Sequence, residues 1–312
     1  MGSEITINVA MLVLSAVLLW QGANWIVDSA AAIARKFHMS ELVIGLTVVA
    51  FGTSAPEFLV SVTATLKGMG DISLSNIVGS NIFNLGLILG LMALIKPVLT
   101  HKTLVYRDGL LLWCITILVL LLSLHLFMGR IAGIILVSIL FGYIGLLIFL
   151  GRKQFMEYDL PTQRAATWKD YPLLVAGFIF VSLGGQFMVD SATFLAEFMG
   201  VSRWVIGVTI VAAGTSLPEL ITCLAASMRG KNDMLLGNLL GSDFFNFAGV
   251  LGMTCILRPL EISPSALPSM YALVIMVFVV LIFMRTGWKV TRLEGALLII
   301  INLGRWMRDF MG

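Results

Sequence analysis

The chain has 312 residues, 59% hydrophobic and only 12% charged. A water-soluble domain covers its surface with about 25% charged residues, so this composition excludes an ordinary soluble fold and assigns the chain to the bilayer. The net charge of +3 is distributed over short loops and points to no nucleic-acid partner. Cys114, Cys223 and Cys255 stand singly in apolar stretches, matching neither a disulfide framework nor a zinc pattern. His38, His101 and His125 fall near loops or helix ends, which argues against a histidine-based metal site.

A membrane-crossing helix needs about 20 apolar residues. Taken in chain order, hydropathy predicts ten: 7–34, 42–66, 72–95, 106–127, 131–151, 171–196, 204–228, 233–256, 267–285 and 290–311. The first lacks a basic start and runs on as a full span, unlike a cleavable signal. Connections are short, and the longest polar stretch, 151–170, separates the fifth and sixth spans. The expected fold is therefore all-α and integral to the membrane. Residues 1–151 form a first five-helix half, 152–170 a linker and 171–312 a second half. Fourteen Lys and Arg residues fall on the linker's side and six on the side that holds both termini. The positive-inside bias makes the linker's side cytoplasmic and the termini extracytoplasmic, in a cell inner or plasma membrane. Trp168, Trp204 and Trp288 fall near span ends, where interfacial aromatics belong.

The second span carries IGLTVVAFGTSAPE, Ile44 to Glu57, and the seventh carries IGVTIVAAGTSLPE, Ile206 to Glu219. The likeness extends further. Residues 28–98 align without a gap on 190–260, at an offset of 162, with 28 of 71 positions identical. Five spans separate the copies, and an odd number turns the second upside down in the membrane. This is the inverted-repeat plan of many secondary transporters, whose site lies near the midplane between the halves.

Each copy places a carboxylate, Glu57 or Glu219, at membrane depth, where an ionisable group marks function by default. Pro56 and Pro218 have no N–H to donate and clash with the preceding turn, so each helix should bend or break there. The freed carbonyls would then need a cavity or an ion. Thr53 and Glu57 are four apart and share a helix face, with Ser54 beside them; Thr215, Ser216 and Glu219 repeat the set. In the following spans Ser80 and Asn84, and Ser242 and Asn246, are again four apart. Gly79 and Gly241 would let helices approach closely. Interhelical hydrogen bonding alone could use these serines and asparagines. The fourfold recurrence of oxygen groups without nitrogen bases or sulfur instead matches a hard cation. Ca²⁺ takes about 6–8 oxygens, and Na⁺ accepts the same atom types. Mutually exclusive occupancy of one site is the physical requirement for exchange.

These motifs resemble the two α-repeats of the sodium/calcium exchanger branch of the cation/calcium antiporter superfamily, of the prokaryotic type without a large regulatory loop. The resemblance implies a ten-helix antiporter in which spans two, three, seven and eight surround the ions while spans one and six slide past them to alternate access. It implies the ligands Thr53, Ser54, Glu57, Ser80, Asn84, Thr215, Ser216, Glu219, Ser242 and Asn246, joined by the backbone carbonyls of Ala50 and Ala212. Ca²⁺ would sit between Glu57 and Glu219, with Na⁺ around it and no cofactor or catalysis. Asn246, where some relatives have aspartate, argues against K⁺ cotransport. Asp243 departs from the family's usual asparagine, as either a helix-packing partner or an added cation-attracting group. Asp28 and Asp190, on spans one and six, are modulatory candidates, expected as polar contacts between sliding helices and core more than as ligands. Asp71 and Asp233 are expected as helix N-caps, and Glu41 and Arg203 as interfacial residues. H⁺/Ca²⁺ exchange is the alternative function, since the glutamates could carry protons. A cation channel is a more distant one, and an intramembrane hydrolase is disfavoured because no His or Lys lies beside the serines.

Overall fold

A computed structural model describes residues 2–155, 166–199 and 212–311. The elements in chain order are α1 (Gly2–Lys36), α2 (Glu41–Thr53), α3 (Ala55–Leu66), α4 (Gly70–Ile95), β1 (Val98–Leu99), α5 (Leu104–Ser123), β2 (Phe127–Met128), α6 (Arg130–Phe155), α7 (Asp170–Phe198), α8 (Ala212–Gly214), α9 (Leu217–Met228), α10 (Asn232–Leu257), β3 (Leu260–Glu261), α11 (Leu267–Arg285), β4 (Lys289–Val290) and α12 (Arg292–Met311). Among the described residues, seven helices are long and apolar enough to cross a membrane, or eight when α2 and α3 count as one bent span. Of the ten expected spans, the seventh begins outside the described residues. The tenth, α12, carries Arg292, Glu294, Arg305, Arg308 and Asp309 and falls short in apolarity.

The proline signal fixes the break between α2 and α3. Ser54 leaves helical geometry at φ −81°, ψ 9°, Pro56 follows in the first turn of α3, and the two helices meet at 49°. Ser216, before Pro218, has φ −91°, ψ 9°. Wide π turns interrupt other helices at Gly45–Val49, Phe83–Ile88, Leu104–Gly109 and Asn246–Leu251. Such bulges commonly mark functional segments, and two of them contain Asn84 and Asn246. Nothing in the hydropathy pattern announces them.

Glycines set the helix contacts that matter here. A Cβ on Gly241 would lie 2.7 Å from the Leu46 carbonyl oxygen, and one on Gly237 2.7 Å from that of Leu42, so α10 packs backbone to backbone against α2. Gly241 thus acts as expected. An added Cβ on Gly79 would meet no described atom within 4 Å, and Val208, which matches Leu46 in the repeat, lies outside the described residues. Helices α1 and α7 approach in the same way: a Cβ on Gly22 would lie 2.8 Å from the Gly177 carbonyl oxygen, and one on Gly177 2.9 Å from that of Gly22.

The short strands continue the 162-residue correspondence beyond the aligned segment. Strands β1 and β4 pair antiparallel through Val98 and Val290, and β2 and β3 through Met128 and Leu260. Thr100 N–H donates to the Trp288 carbonyl and Ile262 N–H to that of Leu126, both at 2.9 Å. Leu126 and Trp288, also 162 apart, share positive φ values of 57° and 55°.

One expectation fails. Asp71 and Asp233 are not N-caps: Met69 and Lys231 occupy those positions without a side-chain cap. Each aspartate instead reaches across to a distant loop. Asp71 accepts from the Ser263 N–H at 3.0 Å, and Asp233 lies 3.5 Å from His101 Nε2. Local sequence favours acidic caps, but here the first-turn aspartates have tertiary partners that a cap geometry would forgo.

Candidate cation site

The two breaks bring the expected residues together. Glu57 and Glu219 are both fully buried, as are Ser54, Ser216, Ser242, Asp243, Asn84 and Asn246, with Thr53 and Ser80 nearly so. The hydroxyls cross between the halves. Ser54 Oγ donates to Glu219 Oε1 and Ser216 Oγ to Glu57 Oε1, each at 3.0 Å. Within each half the next span adds a second donor: Ser80 Oγ to Glu57 Oε1 and Ser242 Oγ to Glu219 Oε1, each at 3.4 Å. Both carboxylates therefore have one oxygen held by two serines.

The other oxygen of each, Oε2, is buried without a hydrogen-bond partner among the described residues. So are Asn84 Oδ1, Asn246 Oδ1 and Thr215 Oγ1. Leaving one buried polar atom unmatched costs about 1–3 kcal/mol, more for a charged group. Five such atoms around the two breaks, four of them pure acceptors and the fifth a hydroxyl, call for a positive partner. Among the described residues no three His, Cys, Asp or Glu side chains converge on one point. A cation here would meet the two glutamates and neutral oxygens, the donor set of a hard ion rather than of zinc or copper.

The remaining expected residues are placed differently. Thr53 Oγ1 contacts Asn238 Oδ1 at 3.0 Å and Ser242 Oγ at 3.4 Å. The Ala50 carbonyl accepts from Ser54 N–H at 3.0 Å and from Thr53 Oγ1 at 3.3 Å. Ala212 opens α8, and the six residues from Ile206 to Val211 lie outside the described residues, with Arg203 and Trp204. Asp28 is no part of the cluster: Arg229 reaches it from the turn after α9 with Nε to Oδ1 at 3.0 Å and Nη2 to Oδ2 at 3.3 Å. That is the expected contact between span one and the core. Asp190 is exposed. Glu41 lies at a helix start beside Arg35 and Lys231, as an interfacial residue should.

Three residues escaped the sequence reading. Asn76 Nδ2 donates to the Glu57 carbonyl at 3.4 Å and to Ser61 Oγ at 3.0 Å, and Asn238 holds Thr53. Both asparagines recur at the offset of 162, which was the available signal. Buried Asp108 binds Arg107 and Tyr143 Oη, at 2.8 and 2.9 Å, with no counterpart in the repeat to reveal it.

The chain resembles known proteins over nearly its whole length. The family profile described as sodium/calcium exchanger protein matches residues 7–150 and 170–303. The sodium/calcium exchanger MaX1 of Methanosarcina acetivorans is 31% identical, over 95% of this chain and 96% of its own. The inner membrane protein YrbG of Escherichia coli is 33% identical, over 90% and 88%. A solved structure of the sodium–calcium exchanger NCX_Mj, soaked with zero Na⁺ and Ca²⁺, superposes with a TM-score of 0.84 at 32% identity, covering 96% of this chain and 97% of that one. A buried all-oxygen cluster at two proline-broken helices, within an all-helical membrane fold of this likeness, is sufficient to conclude that the chain belongs to the sodium/calcium exchanger family of membrane antiporters.

Proposed function

We propose that the chain exchanges Ca²⁺ for Na⁺ by alternating access, with ten spans arranged as two inverted five-helix halves. One observation carries the reading: Glu57 and Glu219, fully buried, each have one oxygen gripped by serines from both halves and one oxygen free for an ion. Two carboxylates carry the charge of one Ca²⁺. The substrate Ca²⁺ would lie between them, with Ser54, Ser80, Ser216 and Ser242 and the Asn84 and Asn246 oxygens around it. Na⁺ would use overlapping oxygens, including those of Thr53, Thr215 and the Ala50 and Ala212 carbonyls, so that the two ions exclude each other. The names of MaX1 and NCX_Mj, both sodium/calcium exchangers, support Na⁺ as the counter-ion. Downhill Na⁺ entry would drive Ca²⁺ export across a cell membrane, with both termini outside.

Coupling to Na⁺ is separable from coupling to H⁺ by one experiment. In liposomes with purified protein, Ca²⁺ uptake should follow an outwardly directed Na⁺ gradient and ignore a pH gradient imposed without Na⁺. Uptake driven by the pH gradient alone would replace Na⁺/Ca²⁺ exchange by H⁺/Ca²⁺ exchange. Single-channel currents would replace both by a pore.

A further inference from the structure

Asp243 is the place where the two halves differ in chemistry. Asn81 stands at the matching position of the first half, yet the two residues make matching bonds. Asn84 Nδ2 donates to Asp243 Oδ1 at 2.9 Å. Asn246 Nδ2 donates to Asn81 Oδ1, also at 2.9 Å. Each residue thus reaches across to the other half and takes the amide nitrogen of a cluster asparagine. In both asparagines the opposite end of the amide, Oδ1, is buried and has no partner among the described residues.

An asparagine amide is nearly symmetric in shape, and its two ends differ only in whether they donate or accept. Turned one way, Asn84 and Asn246 offer an oxygen to a cation; turned the other, they offer an NH₂ that repels it. We propose that Asp243 and Asn81 are positioning residues that set this choice, by fixing the nitrogen of each amide so that its oxygen faces the ions. The proposal rests on the reading of this cluster as the transport site.

The two halves reach the same result by different means. Asn81 has both a donor and an acceptor, so its own orientation must be fixed first. Its Nδ2 is taken by the Asp243 backbone carbonyl at 3.2 Å, which leaves Oδ1 as the only end facing Asn246. Asp243 needs no such anchor. A carboxyl group presents an accepting oxygen at Oδ1 whether or not its other oxygen carries a proton, so only the nitrogen of Asn84 can face it. In an Asp243→Asn variant, by the correspondence of the halves, the new Nδ2 would meet the Asn81 carbonyl and the acceptor role would persist. The departure at this position therefore preserves the function of the pair.

The test is a comparison of variants in Na⁺-driven Ca²⁺ uptake and in direct Ca²⁺ binding to purified protein. Asp243→Ala should weaken Ca²⁺ affinity by roughly tenfold or more, the usual cost of losing a residue that orients an ion ligand. Asp243→Asn should restore affinity to within about twofold of the parent. In an Asn84→Ala background, Asp243→Ala should add almost nothing, because the two act through one oxygen. If Asp243→Ala does not purify as a monodisperse protein, Asp243→Ser carries the test, since it keeps a polar atom but is too short to reach Asn84. Unchanged affinity in Asp243→Ala, or in that serine variant, would overturn the proposal. So would an Asp243→Asn variant as impaired as Asp243→Ala, because charge and not accepting geometry would then be what matters. A parent protein that binds and moves Ca²⁺ without Na⁺ dependence would instead reject the functional reading, leaving the affinity comparison to judge the positioning role separately.

Discussion

At the scale of single residues, the central fact is the crossing of the serines. Each glutamate is held at 3.0 Å by the serine of the opposite motif, so neither half has a complete carboxylate environment without the other. Hydrogen bonds to charged groups contribute about 1.5–3 kcal/mol. Ser54→Ala and Ser216→Ala should each weaken apparent Ca²⁺ affinity by about tenfold or more, and by similar factors; binding titrations of the two variants check this. A large loss in one with none in the other would show that the halves are not equivalent at the site. The residues at these positions stood out in the sequence because they recur at the offset of 162. What each hydroxyl touches was not legible there, since Ser54 and Glu219 are 165 residues apart and only the meeting of the break after α2 with the first turn of α9 makes them neighbours. Asp71 and Asp233 show the reverse error, in which a sound local rule gave way to tertiary partners.

At the scale of helices, α7 lies over both breaks. A Cβ on Gly52 would come within 2.2 Å of the Phe178 ring, and one on Gly214 within 2.3 Å of Val189 Cγ2; Phe178 and Val189 are both on α7. The motif glycines thus make room for the side chains of span six, one of the two helices expected to slide. Gly52→Ala should overpack this contact at a cost of about 1–3 kcal/mol, lowering transport rate and thermal stability. Adding Phe178→Ala should recover much of the loss. Failure of the second substitution to relieve the first, measured by melting temperature and by flux, would contradict this account of Gly52. The bends at Pro56 and Pro218 were legible, because a missing N–H has a fixed local consequence. The π turns that hold Asn84 and Asn246 were not, because they arise from an extra residue per turn that leaves the hydropathy pattern intact. Helix α1 is also tied to the core by Asp28 and Arg229, but the aspartate is more exposed than buried, and such a pair contributes at most about 1 kcal/mol.

At the scale of the molecule, the duplication organises nearly everything described. It relates the two glutamates, the crossed serines, the two strand pairings, the left-handed turns at Leu126 and Trp288 and the glycine turns at Gly68 and Gly230. Its extent beyond residue 98 was hidden because those segments keep geometry without keeping residue identity. Under the proposed alternating access, two such halves around one buried pair of carboxylates would let one close while the other opens. The most direct measurement of that claim is simultaneous flux of radiolabelled Na⁺ and Ca²⁺ in opposite directions across liposomes containing the purified protein. The account predicts that adding Ca²⁺ on one side drives Na⁺ out of the other, that removal of either ion stops the other, and that Glu57→Gln or Glu219→Gln abolishes both fluxes together. Ca²⁺ movement that persists without Na⁺, or in either glutamine variant, would contradict it.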